Sequence, residues 1–241
     1  MNRPTTTDTR TVIAPAGEPS PGAATPASGD SAVVAGHSVM CFVSGLSEQN
    51  RKDVLDSTLL MQLQASARFD QATQRKEWFK EYTSGLKSVG WDISSEVFES
   101  YAPKQQSFTL EGIALELLGE TTGNSTFAPI VKKSLAALRT HENTLRVLES
   151  SADNGTGGMF QILPCMQSPT GEVSMLMDCI GFKTNHMNYK VLFFSYRRSE
   201  VEIYRSAQHA VLNTEAYGRV RNDVIAKLAN HGKRFIADLK L

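Results

Sequence analysis

The chain has 241 residues, with 25 lysines and arginines against 25 aspartates and glutamates, a pI near 7.0 and a mean hydropathy of -0.25. That length suffices to bury a substantial core, in one domain or in a domain with an appended piece. The even balance lacks the positive excess with which proteins neutralise many phosphates, so nucleic acid is not an expected partner, and it lacks the acidic excess of a disordered chain.

Residues 1–31 hold five of the nine prolines and almost no large apolar side chains, so ordering them would not be repaid by burial. They read as a disordered Pro/Thr/Ala-rich tail, with residues 32–241 as one globular unit; a role for the tail in export or docking is the functional alternative to a dispensable extension. Val39 to Val43 reads as a short strand. Ser47 then suits an N-cap for an amphipathic helix to about Arg68, with Val54, Leu55, Leu59, Met61 and Leu63 on its apolar side. A second helix is expected from Gln71 to Val89, because Trp78, Tyr82, Leu86 and Val89 recur at steps of four, four and three; Gly90 suits the position after its end. Trp91 to Tyr101 has a partial two-residue rhythm and ends before Pro103. Helices follow at Leu110 to Leu118 and around Phe127 to Leu138, the latter with Pro129 in its first turn, where a missing N–H is harmless.

Ser151 to Gly158 is a turn-forming break, after which the period becomes extended. Strands are expected at Met159 to Met166, Glu172 to Lys183, Tyr189 to Arg197 and Glu200 to Arg205, with connections short enough for a four-stranded antiparallel meander. Thr214 to Leu239 carries apolar residues at steps of three or four and reads as one long helix lying across the sheet. The expected fold is therefore α+β: a helix-rich N-terminal half, a four-stranded antiparallel meander and a long C-terminal helix, behind a disordered tail.

The stretch SGLSEQNRKDVLDSTLLMQLQASARFD with EWFKEYTSGLKSVGWDI, and later LFFSYRR and RVRNDVIAKLANHGKRFIADLKL, resembles a family of small bacterial and fungal proteins to which no activity is assigned. The resemblance implies a single globular unit from about Val33 onward. It carries over no catalytic or binding residue.

The residues with most chemistry are in MLMDCIGFKTNH, where Asp178, Cys179 and His186 offer a carboxylate, a thiol and an imidazole. In a pleated strand consecutive side chains point to opposite faces, so Asp178 and Cys179 cannot cooperate. Val173, Met175, Met177 and Cys179 share one face; Ser174, Leu176, Asp178 and Ile180 share the other, expected to be mixed and partly wetted. Cys165 opposes Cys179 if the hairpin register suits, as a buried pair or a disulfide, and a catalytic Cys179 or Cys165 would need a base such as His209 or His141 from elsewhere. Cys41, Cys165 and Cys179 are an odd number without a C-x-x-C pair, which suggests neither a disulfide framework nor a zinc ribbon.

Scattered histidines and the half-motif HENTL suggest no metal site, and a lone His231 on an apolar stripe reads as a core residue. GTGG precedes an extended segment rather than a helix, so no phosphate loop and no cofactor is expected. No apolar run reaches transmembrane length; the chain reads as soluble, cytoplasmic or exported without a cleaved signal peptide. After Thr184 there are ten lysines and arginines against five acids. Arg197, Arg198, Arg219, Lys233 and Arg234 are the candidates for contact with an anion or a membrane surface.

The missing catalytic and cofactor signatures favour a non-enzymatic interaction protein, of a secreted virulence-type or toxin-like kind, with an unknown protein or membrane-surface partner. The alternatives are a membrane-surface-binding protein using the basic C-terminal face, and a thiol-dependent enzyme.

Overall fold

A tight hairpin opens the fold: strands β1 (Ser31–Ala35) and β2 (Ser38–Phe42) pair antiparallel around Gly36, whose φ of 58° lies in the left-handed region that glycine enters without a Cβ penalty. The computed structural model describes residues 29–95, 97–122, 126–152, 156–184, 191–229 and 236–239. Helix α1 (Glu48–Arg68) begins at the expected cap, where Ser47 Oγ accepts from Asn50 N at 3.2 Å. Helix α2 (Arg75–Ser88) ends against Gly90 at φ 107° and buries Trp78, Phe79, Tyr82 and Leu86 along one side.

Short strands β3 (Trp91–Ile93), β4 (Glu99–Tyr101) and β5 (Ser107–Phe108) lead into helices α3 (Leu110–Thr122), α4 (Phe127–Thr140) and α5 (Glu142–Ala152). Then come β6 (Gly157–Gln167), β7 (Val173–Thr184), the two-residue β8 (Tyr196–Arg197), β9 (Val201–Leu212), helix α6 (Thr214–Leu228) and β10 (Ile236–Leu239).

The main sheet runs β10-β1-β2-β6-β7-β9-β3, with β4 also on β9, while β5 and β8 pair apart from it. Every pairing is antiparallel except β2 with β6, which place Ser38 opposite Gln161 and Phe42 opposite Cys165. The architecture is thus mixed α and β, with six helices among the described residues and a mostly antiparallel sheet. Helices cover both sheet faces. Val33, Met40, Met159, Met177, Cys179 and Leu212 pack against α1, α2 and α6, whereas Val34, Val39, Ile162, Leu176, Ile180 and Ile203 pack against α3, α4 and α5.

Two-sided cover explains the differences from the expected fold. The face carrying Ser174, Leu176, Asp178 and Ile180 is not wetted as expected: Asp178 is 0% exposed, because α3 and α4 lie over it. The meander loses a strand, since β6, β7 and β9 are adjacent and the described part of the segment expected as Tyr189 to Arg197, residues 191–197, supplies only β8. Its Val191, Leu192 and Tyr196 plug the α3 and α4 layer instead of alternating along a ladder. Trp91 to Tyr101 divides into β3 and β4 on different stretches of β9. The long last helix stops at Leu228, and Ile236–Leu239 instead pairs with β1, satisfying backbone groups that an edge would leave open. Of the tail expected over residues 1–31, residues 1–28 lie outside the described residues, as do His186 and His231, while Ser31 already belongs to β1.

Candidate functional site

The pleat separates the reactive letters as expected. Cys179 faces α1 and α2, and Asp178 faces the other helical layer. Cys165 shares the Cys179 face but lies opposite Met175, while Cys179 lies opposite Gln161, so the register does not oppose the two cysteines. Cys41, Cys165 and Cys179 are all free and buried. Burial pushes the Cys41 thiol up to about 12 and the other two well above their usual value, so each is held as an inert thiol. His209 is exposed and lies opposite Leu176, on the sheet face away from Cys179. His141 ends α4, its Nδ1 2.7 Å from Ala137 O. No thiol and imidazole are brought together among these residues, and no group of three or more metal-ligating side chains occurs among the described residues.

The basic candidates are spread as well. Arg219 projects from α6 and pairs with Glu215 at 2.7 Å, on the α1 side of the sheet. Arg197 belongs to the β5–β8 ladder beside the α3 layer, and Arg198 follows it. Lys233 and Arg234 lie outside the described residues.

The turn around β8 has a definite construction. Tyr196 is fully buried and donates from its hydroxyl to Val191 O at 3.3 Å, which pins the turn from within. Phe108 and Tyr196 pair across the ladder, Ser107 and Ser195 hydroxyls meet at 2.9 Å, and Glu111 N donates to Leu192 O at 3.0 Å. Phe193 is half-buried beneath the Arg139 guanidinium, 4.7 Å from the ring centre, and Arg139 is itself paired with Glu111. Phe194 points outward, 36% exposed, its ring edge-on to Tyr196 at 4.9 Å. Arg197 and Arg198 are exposed next to it, held by backbone bonds to Glu200 Oε2 and Gln106 O at 3.1 and 3.0 Å.

Most other arginines with a defined role hold a carboxylate: Arg68, Arg139, Arg205, Arg219 and Arg221 all do. Neither the Arg197 nor the Arg198 guanidinium has an ion-pair partner among the described residues. An exposed phenyl ring with two unpaired guanidiniums on a rigidly seated turn can enter an apolar boundary while its charges stay in an anionic, hydrated layer. The sequence hints at this in FFSYRR, but a strand reading puts its aromatics inside the sheet and conceals the exposed ring.

No family model matches the chain, and no curated protein matches it. Among solved structures it is similar to a delta-endotoxin, at 17% identity and TM-score 0.45, over 73% of this chain and 79% of that one. It is also similar to the activated Cyt2Ba monomer from Bacillus thuringiensis subsp. israelensis, at 16% identity and TM-score 0.44, over 72% and 96%. The Evf virulence factor gives 10% identity and TM-score 0.34, over 77% and 76%. These are distant likenesses, and no residue role passes from them to this chain.

Proposed function

We propose that this protein is a non-enzymatic interaction protein, of the virulence-type or toxin-like kind, and that the surface it engages is an anionic membrane. The observation that carries the reading is the turn at β8, where exposed Phe194 stands beside Arg197 and Arg198, both without an ion-pair partner among the described residues. The proteins named above as a toxin and a virulence factor fit the same kind, but their likeness is too remote to support it, and the weight rests on this chain's own surface. No helix among the described residues is long and apolar enough to cross a bilayer, so the proposed contact lies at the interface.

The two arginines together contribute about 2 kcal/mol at an anionic leaflet, roughly thirtyfold in partitioning, and a partly inserted phenyl ring adds to that. Co-sedimentation with vesicles holding phosphatidylserine is expected at low salt, with little binding to purely zwitterionic vesicles. Binding should fall steeply toward 1 M salt, where charges are screened within about 3 Å. R197E/R198E is expected to abolish binding to the anionic vesicles, and F194S to weaken it while leaving its salt dependence intact. Equal binding of the wild type to both vesicle types, or unchanged binding by R197E/R198E, would remove the reading.

A further inference from the structure

A cleft of about 360 Å³, sharing no lining residue with the β8 turn, lies where the β1–β2 hairpin meets the end of α1 and the end of α5; its walls include His37, Gln62, Phe69, Asp70 and Gln71. His37 and Gln62 are 3% and 2% exposed, and polar side chains sealed to that degree normally have their bonds filled. Here they do not. Gln62 spends its amide nitrogen inward, donating to Ser38 Oγ at 2.7 Å, and Ser38 in turn donates to Gln161 Oε1 at 2.8 Å. That relay leaves Gln62 Oε1 without a partner. Gln71 likewise donates from its amide nitrogen to Ser151 O and leaves its Oε1 unpaired. His37 Nε2 is unpaired too, in a ring held edge-on to Trp78 at 4.9 Å.

The hairpin is shaped for this arrangement. A Cβ at residue 36 would collide with Gln62 Oε1, so Gly36 combines its left-handed φ with the space that the carbonyl occupies. Burial lowers the His37 pKa to about 3, so the imidazole is neutral and has one ring nitrogen able to accept and one N–H able to donate. At the rim, Asp70 Oδ1 accepts from Ala72 N, Thr73 N and Thr73 Oγ1, and these bonds hold the carboxylate ionised, with its pKa below the usual value. The unfilled groups are mostly acceptors: two amide carbonyls and a carboxylate, beside a neutral imidazole, while the amide donors and the Ser150 and Ser151 hydroxyls are already committed. An anionic ligand would meet a carboxylate and no lysine or arginine in the lining; Arg75, which also acts on Asp70, sits outside it and donates to Phe182 O. A group bearing several N–H donors and a positive charge answers both the unpaired acceptors and the Asp70 charge.

We infer that the cleft between the β1–β2 hairpin, α1 and α5 is a binding site for a small primary-ammonium compound, with the unpaired carbonyls of Gln62 and Gln71 and the His37 ring accepting its N–H bonds and Asp70 as counter-charge. The inference is independent of the β8 turn and of the membrane reading.

Calorimetric titration of the full chain at matched ionic strength tests it with three probes: n-propylammonium, which has three N–H donors; tetramethylammonium, which has charge but none; and 1-propanol, which has a hydroxyl and no charge. Saturable binding of n-propylammonium is expected with a Kd of about 1 mM, a reasonable affinity for a probe of four heavy atoms. The other two should bind at least about tenfold more weakly, the value of one charge-assisted bond. D70N keeps an oxygen for the three bonds that shape its turn, so it preserves the fold and should weaken n-propylammonium by about tenfold. Q71M, at a half-buried position, should weaken it by a smaller factor. Absence of saturable n-propylammonium binding overturns the inference, as does equal binding of tetramethylammonium, which would place the attraction on the Phe69 ring. Unchanged affinity in both D70N and Q71M overturns it as well.

Discussion

The two faces of the central sheet are covered to the same depth but by different chemistry. Under α1, α2 and α6 the contact is aromatic and threaded by polar groups: Trp78 stacks on Tyr82 at 5.1 Å, and the Gln62, Ser38 and Gln161 relay runs through the same layer. Trp78 and Trp91 both use their indole N–H, donating to Ser66 Oγ and Ser57 Oγ at 3.0 and 3.1 Å. Under α3, α4 and α5 the contact is mainly aliphatic, built from residues such as Ile113, Leu117, Val131, Leu135 and Ile162. Each face also buries one carboxylate, and their fates differ. Asp53 on α1 accepts a two-pronged bond from Arg221 on α6, at 2.8 and 2.7 Å. Asp178 on β7 has neither oxygen bonded. The polar face directs its helices by specific bonds, whereas the aliphatic face relies on shape and area, and the one charge-bearing group there must stay neutral.

Truncation tests the comparison with the largest effect. Trp78→Ala is expected to cost about 4 kcal/mol, because it opens a cavity and also removes the ring packed against the buried His37, while Leu135→Ala on the aliphatic face should cost about 3 kcal/mol from cavity and transfer alone. Chemical denaturation of both variants measures the difference, and equal losses would show that the polar contacts add nothing to packing.

Next in size, Arg221→Ala should cost about 2 to 3 kcal/mol by leaving Asp53 buried alone, at the low end for a broken buried pair because the Arg221 side chain is 29% exposed. Denaturant midpoints of the variant read the loss, and a midpoint equal to that of the wild type would show that the pair is only decorative.

The smallest effects, per pH unit, have opposite signs on the two faces. His37 has a folded pKa near 3 against an ordinary 6.5, so its unfolded form binds the extra proton and its contribution is present above pH 6.5 and lost toward pH 3. Asp178 has a folded pKa well above its ordinary 3.8, raised by burial and only partly opposed by Arg205, so its contribution is full below about pH 4 and lost as pH rises. Each slope is about 1.4 kcal/mol per pH unit within its window. From these two groups, the gain that His37 brings as pH rises toward 6.5 is offset by the loss from Asp178 that begins above about pH 4. D178N is expected to remove the Asp178 loss and so to reveal a steeper His37 rise between about pH 4 and 6.5, read from denaturant midpoints across that range; an unchanged profile would mean that Asp178 is ionised in the folded protein.

Sequence reasoning reached the elements whose signal is local. The Ser47 cap, the aromatic spacing of α2, Pro129 in the first turn of α4 and the alternation along β7 each depend on near neighbours, and each is present in the fold. It missed β1, where SAVVA is too short to show a period, and α5, where HENTLRVLES was weighed for its histidine rather than its spacing. It missed the His37, Gln62 and Gln71 cleft because those residues are spread over thirty-five positions and acquire meaning only from which bonds remain unfilled.

Composition and periodicity by themselves determined that this chain has a buried, pleated segment flanked by amphipathic helices, since side-chain direction along a strand or helix follows from backbone geometry. Only the tertiary structure decided that β2 joins β6 in parallel, that the last segment closes the sheet beside β1, and that helices bury both faces. Those choices depend on backbone bonds and apolar contacts between residues more than one hundred positions apart, and no local pattern records which distant partner will fill them.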